Sequence, residues 1–200
     1  MKIKNILSQL KLSENSMEHR SYIRLIKRAL SLYKENQEII YKNISWLPKN
    51  SMINIIFEEE PEIPVSAVFA FIFSEDRKFI YLMENANRER GLDIPGGHIN
   101  PGETSLEALH REVLEEVGLT IKNISYIGSQ KIIKNIIEEK YPHYISAQNF
   151  YVATIDEIKT IELEKDSLEM VEISVESYIN YLENKEDCYY KELFFKALKG

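Results

Sequence analysis

Cysteine is nearly absent from this 200-residue chain. The lone Cys188 can form no internal disulfide, which excludes a disulfide-framed scaffold and makes a reducing, cytoplasmic setting the expectation. Long apolar runs are missing as well. The longest, Ala67 to Phe73, falls far short of the roughly 18 residues that a membrane-crossing helix needs. Charge interrupts the apolar residues from Met1 to Lys11, so a secretory hydrophobic segment is not expected there. Glycine is scarce, with seven in all, yet Gly96, Gly97, Gly102 and Gly118 bracket one short stretch. The length suits one ordinary soluble domain with room for an appendage.

Positive charge is in deficit overall but concentrated locally. Residues 1–50 carry ten Lys or Arg against four Glu, a net of +6, so the remainder holds −13 of the total −7. The acidic body would tolerate a phosphate site only with cations present. The basic segment has three readings: it docks on the acidic body, it contacts a phosphate-rich ligand, or it is a solvated face.

Period and punctuation divide the chain. Residues 17–42 predict one or two helices, with Ile23, Ile26, Leu30 and Tyr33 at helical spacing and no Gly or Pro between them. That stripe needs a partner, either the body of the protein or a second copy in a homodimer. Pro48 and the run Glu58 to Pro64 mark a boundary, giving a basic helical extension over 1–62 and a core domain over 63–200. Val65 to Phe73 predicts a strand covered on both faces, and Phe79 to Met83 a second strand. Lys122 to Ile133 and Asn149 to Ile155 are further strand candidates, and helical periodicity returns from about Ser174 to Leu198, with breaks near Asn184 and Asp187. A mixed sheet between helical layers fits this order.

The window from Gly97 to Leu119 is the most informative part of the chain. At about 100° per residue, with Glu112 at zero, Glu116 falls near +40° and Glu115 near −60°. The three carboxylates share one face, beside an apolar stripe of Leu106, Leu109, Val113 and Val117 between roughly +60° and +140°. Ala108 and Ser105 lie on the acidic face, where small residues leave room for a substrate. Like charges four apart destabilise a helix by about 0.2–0.5 kcal/mol, a cost that a bound divalent cation reverses. Oxygen-only ligands select hard ions such as Mg²⁺, which commonly shares its coordination with phosphates. Arg111, beside Glu112 and four residues before Glu115, is placed to orient a carboxylate.

The ends of this helix are also specified. Thr104-Ser105-Leu106-Glu107 fits a capping box, Pro101 and Gly102 supply the preceding turn, and Gly118 suits the position just past the last turn. Gly96 and Gly97 before it are able to turn backbone N–H groups toward an anion.

These residues resemble the Nudix box of the Nudix hydrolases (MutT-like), which cleave nucleoside diphosphates linked to another moiety. The box positions are occupied by Gly97, Glu103, Arg111, Glu112, Val113, Glu115, Glu116, Gly118 and Leu119, without a departure. Seven fixed identities at ordinary residue frequencies make a chance match at one start on the order of 10⁻⁹. The lead-in Arg90 to His98 is similar to the family's approach to the box, except that Asp93 follows Leu92 where a Trp is often found. The wider resemblance runs from about Pro64 to about Tyr178.

The resemblance implies a Nudix-type α/β/α sandwich with a mixed sheet, and Mg²⁺- or Mn²⁺-dependent attack of water on a phosphorus of a diphosphate bridge. It assigns Glu112, Glu115, Glu116 and Arg111 to catalysis, and Gly97, Glu112, Glu115 and Glu116 to the metal. Glu103 would brace the loop or stand behind the metal ligands. Glu116 or Glu112 would lie nearest the attacking water. Family members often recruit a further glutamate as base, for which Glu138, Glu139 and Glu169 are candidates. A nucleotide-type substrate is the expected partner, with neither membrane nor nucleic acid.

Outside the box the signals are weaker. Tyr141, His143 and Tyr144 are candidates to stack on a nucleobase, with simple packing as the alternative. His98 is a candidate phosphate contact. Trp46, Tyr189, Tyr190, Phe194 and Phe195 read as core or interface, and Cys188 as a small hydrophobe. The proline of ADP-ribose hydrolases, the tyrosine spacing of dinucleoside polyphosphate hydrolases and the Ser-Gln-Pro-Trp-Pro-Phe run of the NADH-cleaving group have no match. Nucleoside triphosphates, oxidised ones included, are the first expectation for substrate. The alternative is a Nudix-fold binding or regulatory module without turnover.

Overall fold

A computed structural model describes residues 39–57, 59–85, 91–137, 142–160, 167–185 and 188–199. The helices expected over 17–38 lie outside the described residues, and with them the proposed homodimer stripe. Ile39 to Lys42, the end of that expected helical stretch, is instead a strand. Alternation explains it, because Ile39 and Tyr41 pack on the core while Ile40 is exposed.

Among the described residues nine strands form one sheet: β1 (Ile39–Lys42), β2 (Met52–Ile56), β3 (Val65–Phe73), β4 (Phe79–Asn85), β5 (Leu92–Asp93), β6 (Gly96–His98), β7 (Leu119–Ile133), β8 (Ile145–Ile158) and β9 (Ser167–Ser174). Their order is β1-β2-β7-β8-β3-β4-β5, with β6 also on β3 and β9 on β4. The β3–β8 pair is parallel and the others are antiparallel, so the sheet is mixed. Strands β1 and β2 join the sheet through β7, so it begins ahead of the boundary read at Pro48 and Glu58 to Pro64.

Three helices, α1 (Ser105–Val117), α2 (Val175–Asn184) and α3 (Lys191–Ala197), cover the sheet among the described residues. Strand β3 shows why both faces need cover. Val68, Ala70 and Ile72 join Leu109, Val113 and Val117 of α1, whereas Phe71 and Phe73 join Tyr178, Ile179, Phe194 and Phe195 of α2 and α3. Apolar residues on both alternating faces produce a helix–sheet–helix sandwich with a core on each side. Cys188 sits in the second core, where burial pushes its thiol up to about 11 and keeps it neutral. Trp46 stays partly exposed. No helix among the described residues is long and apolar enough to cross a membrane.

Candidate functional site

Helix α1 carries the acidic residues, and its limits follow from local chemistry. The Thr104 hydroxyl accepts the Glu107 N–H at 3.3 Å while the Glu107 carboxylate accepts the Thr104 N–H at 2.8 Å, closing the capping box. The Thr104 N–H and the Thr104 hydroxyl, which also donates to Glu107 Oε2 at 2.8 Å, lower the Glu107 pKa, the backbone bond most. At the far end Gly118 adopts φ 66°, and its N–H reaches the Leu114 carbonyl at 2.9 Å. A left-handed residue there stops the helix and releases the chain into β7.

The buried face of α1 differs from the simple wheel in three places. Leu106 is 47% exposed, because contact with the apolar cluster starts at Ala108. Ala108 is fully buried in that cluster and so does not line an open site. Glu112, on the face beside the apolar stripe rather than in it, is only 8% exposed. The cause is strand β6, whose pairing with β3 brings Gly97 against the helix. A Cβ on Gly97 would lie 2.5 Å from the Glu112 carboxyl carbon, so the approach requires glycine.

Arg111 organises the carboxylates. Its Nε donates to Glu103 Oε1 at 2.7 Å, and one terminal nitrogen donates to Glu103 Oε2 and to the His98 carbonyl, both at 2.9 Å. The other terminal nitrogen donates to Glu112 Oε1 at 2.8 Å and Glu115 Oε2 at 3.0 Å. A guanidinium has five N–H donors, and these bonds engage all of them. Arg111 is therefore built into the site as a brace between the helix and the loop ahead of it. Glu103 is fixed from both sides, since its Oε2 also accepts the Asn100 N–H at 2.9 Å. The Arg111 bond chiefly, and then the Asn100 N–H, hold the Glu103 carboxyl down to about 2. The same carboxylates raise the Arg111 pKa, Glu103 most.

Glu116 is oriented by a different contact. Its Oε2 accepts the Gly96 N–H at 2.7 Å, so the two glycines of β6 touch two different carboxylates. Glu103, Glu112 and Glu115 thus share one guanidinium, while Glu116 is held to the strand beside them, so formal negative charge is in excess. All are hard oxygen donors, the class that Mg²⁺ and Mn²⁺ prefer. The described residues hold no ready-made cluster of three or more His, Cys, Asp or Glu at metal-binding spacing. The donor chemistry and the backbone cradle at Gly97 fit a hard cation, and Arg111 supplies part of the counter-charge to these carboxylates.

The remaining candidates are spread around this centre. His98 lies on β6 opposite Ala67, with its side chain exposed and its carbonyl on Arg111. His143 and Tyr144 are exposed at the entry to β8. Ala67 faces His98 on one side and Gln148 on the other, so that entry and His98 share one end of the sheet. Glu169 stands opposite Glu84, one step out of phase with the Met83–Met170 pair. Met83 and Met170 pack on the α1 face, so alternation sends Glu169 to the other side. Glu138, Glu139 and Tyr141 lie outside the described residues. A polar row of Tyr126, Ser129, Asn149 and Glu60 was not foreseen, since its contacts join residues up to 89 positions apart.

Comparison with known proteins identifies the family and the fold. Residues 64–190 match the model of the NUDIX domain. YtkD of Bacillus subtilis, provisionally named an 8-oxo-dGTP diphosphatase, is 34% identical over 73 residues, 36% of this chain and 42% of that protein. Nudix hydrolase 3 of Caenorhabditis elegans is 22% identical over 142 residues, 69% of this chain and 58% of that one. The chain thus spans about half the length of these curated relatives. A crystal structure of the Bacillus subtilis pyrophosphohydrolase BsRppH superposes with a TM-score of 0.62 at 22% identity, covering 80% of this chain and 96% of that one.

Proposed function

The chain belongs to the Nudix family, and on that premise we propose that it hydrolyses a diphosphate linkage in a nucleotide or nucleotide derivative, using Mg²⁺ or Mn²⁺. The observation that carries this reading is the joining of the α1 carboxylates to the Gly96–Gly97 strand: Glu112 lies against Gly97, Glu116 accepts the Gly96 N–H, and Glu115 shares with Glu112 an Arg111 whose donors are all engaged. Glu112, Glu115 and Glu116 are the residues that would hold the cation, with Gly97 beside them. When bound, the ion supplies positive charge to phosphate oxygens and lowers the pKa of water.

The chain's own groups then have separate tasks. Arg111 keeps Glu112 and Glu115 at a fixed spacing and ties them to the loop through Glu103 and the His98 carbonyl. The Gly96 N–H sets the orientation of Glu116, the carboxylate we assign beside the attacking water. Water oxygen forms a bond to one phosphorus, the bridging P–O bond breaks, and the water proton passes to a carboxylate. His98, His143 and Tyr144, at one end of the sheet, are the candidates for substrate contact.

A nucleoside triphosphate, oxidised forms included, is the first substrate to test. YtkD carries a name of that kind. A panel of nucleoside triphosphates, oxidised nucleotides and diphosphate-linked nucleotides, scored by released phosphate, pyrophosphate or monophosphate, tests the reading. Cation-dependent release from at least one member supports it. Binding without release across the panel would favour a module that does not turn over.

A further inference from the structure

We propose that α2 and the segment leading into α3 position the Gly96–Gly97 strand for chemistry, through hydrogen bonds from Tyr181, Lys185 and Tyr190 to Leu92 and Asp93. The inference rests on the hydrolytic role proposed for the α1 carboxylates. It makes Tyr190 and Asp93 positioning residues that act through Gly96 and Gly97.

The grip is made of three bonds on two adjacent residues. Tyr181 and Lys185 both donate to the Leu92 carbonyl, at 3.0 and 2.8 Å. The Tyr190 hydroxyl donates to Asp93 Oδ1 at 2.7 Å, and the Ile94 N–H reaches the same oxygen at 3.0 Å. Tyr190 lies among the aromatic rings of Phe71 and Phe150, with the Tyr178 hydroxyl 3.3 Å away. A hydroxyl in such surroundings needs an acceptor. Burial chiefly, and then the Asp93 charge, raise the Tyr190 pKa well above its ordinary value, so it stays a donor.

The bonds matter because of what they hold. Strand β5 has only two residues, paired to Glu84 and Met83, and two rungs fix register weakly. Only Ile94 and Pro95 separate Asp93 from Gly96. Both are buried, proline has a fixed φ, and the Pro95 carbonyl accepts the Ala70 N–H at 3.0 Å. A shift at Asp93 therefore passes along a stiff link to the Gly96 N–H on Glu116 and to Gly97 against Glu112.

Tyr190→Phe removes one hydroxyl and little volume. Tyr41→Phe is the matched control, because its hydroxyl donates to Glu192 of α3. Three quantities are read on each purified protein: kcat and KM with Mg²⁺, hydrogen exchange of the Gly96 amide without metal, and the unfolding midpoint. Tyr190→Phe is expected to lower kcat about tenfold with KM within about twofold, the scale of loss for a group standing behind a metal ligand. Its Gly96 amide is expected to exchange about tenfold faster, a change of about 1.4 kcal/mol. Asp93→Ala is expected to match it, and Asp93→Asn, which keeps an acceptor oxygen, to recover most of the loss. Tyr41→Phe is expected to leave kcat and Gly96 exchange unchanged whatever its midpoint.

Unchanged kcat and Gly96 exchange in folded Tyr190→Phe would overturn the proposal, as would an equal loss in Tyr41→Phe. If Tyr190→Phe does not fold, Lys185→Met is read in its place with the same expectations. Should the wild-type protein hydrolyse nothing, the proposed function fails, and the Gly96 amide still decides whether the grip positions this strand.

Discussion

Arg111 and Glu103 form a two-pronged ion pair, Nε to Oε1 at 2.7 Å and a terminal nitrogen to Oε2 at 2.9 Å. The pair ties the middle of the acidic helix to the loop in front of it. Arg111 then has three donors left for Glu112, Glu115 and the His98 carbonyl, and it uses each. All five of its N–H donors are thereby directed at the helix and loop.

Replacing Arg111 with Lys keeps the charge but loses the planar fork. Arg111→Lys is expected to fold and to lose about 10- to 100-fold in kcat or in apparent Mg²⁺ affinity. A metal titration of activity checks this. Wild-type behaviour would show that the fork is dispensable.

Acid stability reports on Glu103. Its carboxyl is held down to about 2, against an ordinary value of 4.5. A carboxyl with a lowered folded pKa stabilises the fold fully above its unfolded value and loses that contribution as pH falls through the folded one. The expected window is therefore from about pH 4.5 down to about 2. Glu103→Gln is expected to show a shallower fall of the unfolding midpoint across that window, measured by thermal unfolding at stepped pH. Identical slopes in the two proteins would contradict the assignment.

Gly97→Ala places a methyl carbon 2.5 Å from the Glu112 carboxyl carbon. One side must move, and the carboxylate is the freer. Loss of Mn²⁺ affinity by about tenfold or more is expected, with a smaller change in unfolding midpoint. Electron paramagnetic resonance of free Mn²⁺ reads the affinity without substrate.

The helix ends have their own signature. Thr104→Ala removes the capping hydroxyl and is expected to cost about 1 kcal/mol. Gly118→Ala puts a side chain at φ 66° and is expected to cost about 1–2 kcal/mol. Urea unfolding measures both, and values near zero would show that these ends do not limit helix stability.

The helix and its caps were legible in the sequence because they rest on contacts within four residues, as at Thr104–Glu107 and Gly118–Leu114. Strands β3, β4, β7 and β8 were legible from apolar runs, although both long strands extend further than the runs suggested. Strands β5 and β6 were not, since two or three residues hold no period and their place depends on β3 and β4. Strand β9 mixes Glu169 and Glu172 into its alternation, and β2 follows Pro48 closely enough to read as a linker. The acidic cluster was legible as a cluster. The burial of Glu112 by Gly97 was not, because it depends on a strand that folds back across the helix.

Hydrolysis measured with and without a chelator, in wild type and in Glu116→Gln, tests the central claim most directly. Wild type with Mg²⁺ or Mn²⁺ is expected to release phosphate, pyrophosphate or monophosphate from a nucleotide substrate. Chelation is expected to abolish release, and Glu116→Gln to lower kcat by about 100-fold or more while the variant remains folded. Equal activity of the variant, or turnover that survives removal of divalent cations, would contradict the account.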